Sequence, residues 1–105
     1  MLFGEQIALI VDREVEFDEG VFVTITRVGL SPDARYADAF ISVLGGDAEA
    51  ALALLGKNVY AIQQEINRTV RMRPVPKIRF VLDEEERRRE EVEKSLAELK
   101  QKGDL

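Results

Sequence analysis

The sequence predicts an α+β domain in which a small mixed sheet carries helices on one face. Three observations predict it. Two segments alternate like half-buried strands and lie close enough for an antiparallel hairpin. Two helical stretches follow, and a third alternating segment lies beyond them. The chain has 105 residues, is 46% hydrophobic and has no cysteine, so one modest core without disulfides must hold it.

Glu5 to Val15 reads as a short helix with Ile7, Ile10 and Val11 on one stripe. Asp18-Glu19-Gly20 is a turn. Val21 to Leu30 is strand-like, but its alternation slips between Ile25 and Val28, which signals a bulge or a strand end. Ser31-Pro32-Asp33 is a second turn. From Arg35 to Leu44, Ala37, Ala39, Ile41 and Val43 form one face of a strand, and Tyr36, Asp38, Phe40 and Ser42 the other. Gly45-Gly46 ends that strand, Asp47 can cap a helix, and Ala48 to Leu55 is rich in helix formers.

Gly56 interrupts the pattern. A second helix runs from Lys57 to Arg71 with the inward stripe Val59, Ile62, Ile66 and Val70. Pro74 and Pro76 forbid its continuation. Lys77 to Leu82 is a third strand with Ile78, Phe80 and Leu82 facing in. Glu84 to Lys100 is a charged helix whose one stripe is Val92, Leu96 and Leu99. Lys102 to Leu105 should fray. The division expected is a sheet domain over 1–83, followed by a charged helix and tail over 84–105.

Histidine is absent as well as cysteine, which excludes thiol and imidazole catalysis and Cys/His zinc sites. There is no glycine-rich phosphate cradle. Asp83-Glu84-Glu85-Glu86 lacks the spacing of a calcium loop and reads as an acidic first helical turn. A carboxylate hydrolase finds no nucleophile and base together. No catalytic residue, metal or cofactor is expected. No apolar run approaches the ~20 residues that cross a bilayer, and the start lacks a leader pattern, so a cytoplasmic protein without membrane contact is expected.

Charge is segregated. Residues 1–56 carry 3 Lys and Arg against 10 Asp and Glu, whereas residues 57–82 carry 6 against 1, inside a chain of net charge −5. Screening is local, so a basic stripe can hold phosphate on an acidic protein. Arg71, Arg73, Lys77 and Arg79 fall within nine residues, and Gln64, Asn67, Arg68 and Arg71 share one helical edge. A preference for cations at a helix C-terminus explains Arg68 and Arg71 but not Lys77 and Arg79, which favours a phosphate- or RNA-facing stripe. Phe22, Phe40 and Tyr36 fall on the sheet face away from the core. They read first as a cross-strand aromatic pair covered by a loop or the last helix, and second as a base-stacking platform.

Ser31-Pro32-Asp33-Ala34-Arg35-Tyr36-Ala37, the strand ending Val43-Leu44, and Arg71 through Asp83 together resemble ribosome-binding factor A. Ile7 to Val15 is similar to the end of that family's first helix. The resemblance implies a type II KH-like domain: a three-stranded sheet, helices on one face and a C-terminal helix. It implies a non-enzymatic factor that binds the small (30S) ribosomal subunit near the neck and decoding region. There it would assist late maturation and 5′-end processing of 16S ribosomal RNA, with a link to cold adaptation. The family bends its helix pair at an Ala-x-Gly kink; here either Gly56 or Asn58-Val59-Tyr60 takes that place.

The RNA-binding set expected is Arg35, Lys57, Asn58, Gln64, Asn67, Arg68, Arg71, Arg73, Lys77 and Arg79, in a protein that is monomeric when free. The alternative is a KH-like protein-interaction module with no direct RNA role.

Overall fold

A computed structural model describes residues 2–101; the fraying expected of Lys102 to Leu105 and the side chain of Leu99 lie outside the described residues. Helix α1 (Phe3–Glu14) begins two residues before the apolar stripe suggests. Leu2 is its extended N-cap, and the Leu2 amide donates to the Glu5 carboxylate at 3.4 Å. Strands β1 (Phe22–Leu30) and β2 (Tyr36–Leu44) form the expected antiparallel hairpin. Its turn is held by side chains: Asp33 accepts from the Ser31 hydroxyl at 2.7 Å and from the Arg35 amide at 3.1 Å. Then come α2 (Ala48–Lys57), α3 (Val59–Thr69), β3 (Lys77–Leu82) and α4 (Glu84–Gln101). Strand β3 pairs parallel with β2, so the sheet is mixed in the order β1-β2-β3.

The core lies on one face of that sheet. Ala37, Ala39 and Ile41 of the central strand and Ile78 of β3 are buried against Ile7, Ile10 and Val11 of α1, Leu55 of α2, and Ile62 and Ile66 of α3. Two alanines in the central strand leave room for helices to approach, and branched residues from three helices fill it. The slip in β1 is a bulge. Ile25 pairs with Ile41 and Arg27 with Phe40, which leaves Thr26 unpaired between them. One extra residue lets Val23, Ile25 and Val28 all turn toward the core despite their broken alternation.

Gly20 and Gly45 have positive φ, +86° and +82°, and the turns they belong to touch. A Cβ on Gly45 would run into the Gly20 carbonyl oxygen, while one on Gly20 would meet nothing within 4 Å.

The bend between α2 and α3 differs from one reading of the sequence. Gly56 is helical and lies inside α2; the break falls at Asn58, within the other candidate stretch. Asn58 takes a non-helical ψ of 4°, and its side-chain amide donates to the Leu54 carbonyl at 2.8 Å, closing the end of α2. Gly56→Ala should therefore stabilise the protein by about 0.5–1 kcal/mol, because a Cβ there meets nothing and helical glycine is entropically unfavourable. Urea unfolding checks this; a loss of stability would return the bend to Gly56.

Helix α3 also ends before Arg71. Val70 is extended and buried, and turns the chain toward β3. Among the described residues helix α4 packs extensively on no other element, and its Val92 and Leu96 are exposed. No described helix is long and apolar enough to cross a membrane.

Candidate nucleic-acid interface

Burying Ile62 and Ile66 turns the opposite edge of α3 to solvent. Gln64, Asn67 and Arg68 are exposed there, Lys57 closes α2 just before it, and Arg71 lies just past its end. Tyr60, which sequence reasoning did not single out, projects from the same helix with 75% of its surface exposed. Arg68 pairs with Glu65 at 3.1 Å, and Arg13 of α1 reaches the same carboxylate at 3.9 Å. Gln63 clamps α3 to β3: its amide oxygen accepts from Ile78 N at 2.9 Å, and its nitrogen donates to Pro76 O at 3.2 Å and Asn67 Oδ1 at 3.1 Å.

Asn58 and Arg73 of the expected set donate to backbone carbonyls. Asn58 is spent on the helix break. The Arg73 guanidinium folds back onto the Val70 and Met72 carbonyls, both at 2.8 Å, and braces the loop into β3. Arg71 and Lys77 are exposed and make no side-chain hydrogen bond or ion pair among the described residues. Arg35 is exposed beside Asp33, at 3.7 Å.

Lys77 and Arg79 alternate with buried Ile78, so they point to the face away from the helices. The basic run is therefore not one stripe: Lys57, Arg68 and Arg71 lie on the helix side and Lys77 and Arg79 on the open sheet face. Arg79 makes two hydrogen bonds to Asp38, at 2.7 and 3.2 Å, and stacks over Tyr36. The Asp38 hydrogen bond raises the Arg79 pKa further, so this guanidinium stays charged. Arg27, also absent from the expected set, lies over Phe40. The aromatic residues thus do not form a covered pair: Phe40 and Tyr36 each meet an arginine, and Phe22 is 64% exposed.

Asp83, buried at the end of β3, ties this face to α4. It accepts from the Thr26 hydroxyl at 2.6 Å and the Glu86 amide at 3.1 Å, with Arg27 at 3.7 Å. The Thr26 hydrogen bond first, and then the Glu86 amide, hold the Asp83 carboxyl below the ordinary carboxylate range. A carboxylate depressed in the folded state contributes stability that is present above its unfolded pKa of roughly 4 and is lost as pH falls through the lower folded value. Asp83→Asn should flatten the acid limb of the melting temperature below about pH 4. An unchanged limb would remove Asp83 from it.

Among the described residues no group of three or more His, Cys, Asp or Glu is placed to hold a metal. The surface offers cations, amides and aromatic rings, the chemistry of phosphate and base contact.

The family model for ribosome-binding factor A matches residues 1–96. The chain is similar to ribosome-binding factor A of Thermomicrobium roseum, 34% identical over 99 residues, covering 92% of this chain and 77% of that one. It is 35% identical over 89 residues to the Zymomonas mobilis protein of that name, covering 77% of this chain and spanning 63% of the relative's length. The crystal structure of ribosome-binding factor A from Thermus thermophilus superposes with TM-score 0.65 at 22% identity, covering 75% of this chain and 85% of that one. A homology model of the Thermus thermophilus factor, fitted into a cryo-EM map of a 30S complex, superposes with TM-score 0.59 at 24% identity, covering 75% of this chain and 89% of that one.

Proposed function

The chain belongs to the ribosome-binding factor A family, and from that premise we propose that it is a non-enzymatic factor that binds the small ribosomal subunit and assists late maturation and 5′-end processing of 16S ribosomal RNA. The contact falls at the neck and decoding region, with cold adaptation as its setting. Residues 1–83 do the binding as a cytoplasmic monomer, and 84–105 are an appended helix and tail. The observation that carries this reading is the family match over residues 1–96, on a chain that exposes Lys57 just before α3, Tyr60 and Arg68 along it, and Arg71 just past its end. The 30S complex of the Thermus thermophilus factor supports the choice of target.

Cations without base-edge readout position a protein on RNA shape, so the target is a fold of the subunit RNA and not a short sequence. Lys57→Ala/Arg68→Ala/Arg71→Ala should weaken binding and reduce the slope of log affinity against log salt by roughly 0.7–0.9 per lost phosphate contact. Pelleting with purified small subunits at several salt concentrations measures it. Equal affinity and slope for a folded triple variant would shift the reading to the protein-interaction module.

A further inference from the structure

The sheet face turned away from α1, α2 and α3 has no role in the helix-side contact. The register sets Arg27 beside Phe40, Asp38 beside Arg79, and Tyr36 beside Lys77 in successive rows of this face. Arg27 lies 4.0 Å from the Phe40 ring centre, and Arg79 4.3 Å from that of Tyr36. About half of each arginine side chain remains in solvent, 52% and 51%. A guanidinium seated on a ring keeps its outer flat face free. Unpaired bases stack on such planes, while the N–H edges reach phosphate.

Charge selects the partner. These rows carry three cations against the single half-buried carboxylate of Asp38, since Asp83 is buried behind Arg27. A duplex keeps its bases inside and cannot use flat guanidinium planes.

We propose that the open sheet face binds a short run of unpaired RNA, with bases stacked on Arg27 and Arg79 and phosphates held by Lys77 and the arginine N–H groups. The proposal rests on the reading of the chain as an RNA-contacting factor and gives that factor a second, independent contact. Asp38 has two opposed effects. Its hydrogen bonds hold Arg79 flat over Tyr36, and its charge competes with phosphate for the same guanidinium.

The test titrates fluorescein-labelled decauridylate and a ten-base-pair RNA duplex against folded variants, followed by anisotropy. The wild type should prefer the single strand by roughly tenfold, and Arg27→Gln/Arg79→Gln should lose at least that much affinity for it. Arg79→Lys, which keeps the charge and removes the plane, should also lose most of the gain. Asp38→Asn should bind about threefold more tightly. Lys57→Ala/Arg68→Ala/Arg71→Ala should keep the oligonucleotide affinity while losing subunit affinity. Tyr36 and Tyr60 are the only tyrosines, and there is no tryptophan. In Tyr60→Phe protein, saturating decauridylate should therefore quench the Tyr36 emission.

No preference for the single strand, an unquenched Tyr36, or wild-type affinity in the double glutamine variant overturns the proposal. If that variant is unaffected while the helix-side variant loses the subunit, the platform falls and the assembly-factor reading stands. If no subunit binding is seen but the double variant loses the oligonucleotide, the platform stands and that reading falls.

Discussion

Ile66→Ala is expected to destabilise the protein by about 2–5 kcal/mol, the range for removing a large buried aliphatic side chain and leaving a cavity. Ile66 is fully buried in the core together with Ile62 of α3, Ile41 of the central strand and Ile78 of β3. A domain of this size has roughly 5–15 kcal/mol in total, so the loss is a large fraction of it. The melting temperature should fall by roughly 10–30 °C. Circular dichroism at 222 nm follows it, and a fall of a few degrees would mean that α3 does not anchor the core.

Gly45→Ala should be the most damaging of the glycine-to-alanine changes. A positive φ at a non-glycine residue stores about 1–3 kcal/mol of strain. At Gly45 the new methyl would also meet the Gly20 carbonyl oxygen, a backbone atom that moves only with its turn. Gly20→Ala is the internal control, because its φ is also positive but its Cβ would stand in open space. Urea midpoints for the two variants separate conformational strain from close approach. Equal losses would show that the two turns do not constrain each other.

Where local pattern decides structure, the sequence was legible. Lys77 to Leu82 occurs as the strand expected because its alternation is strict and two prolines guard its start. The bulge in β1 showed as a slip in the same alternation. The break at Asn58 was one of two candidates, and choosing it needed a side-chain bond to Leu54 that competes with the more familiar glycine signal. The site was less legible. Arg71 and Arg79 look like neighbours in a basic run, but they end on opposite faces because a turn and a strand lie between them. Asp38 lies 41 residues before Arg79, and no spacing rule announces that pair. Arg27 stayed hidden in the acidic half of the chain, where only the register of β1 on β2 brings it over Phe40.

The molecule measures 56 × 31 × 23 Å, and its long dimension is a matter of mechanics. Eighteen residues of α4 make a rod about 27 Å long, held at one end where Asp83 joins it to the bulge in β1. A rod fixed at its root is a lever. A turn of about 10° at Asp83 would sweep the far end of such a rod through about 5 Å. Small adjustments at the Thr26 hydroxyl, made where β1 departs from regular pairing, are thereby magnified at the far end of α4.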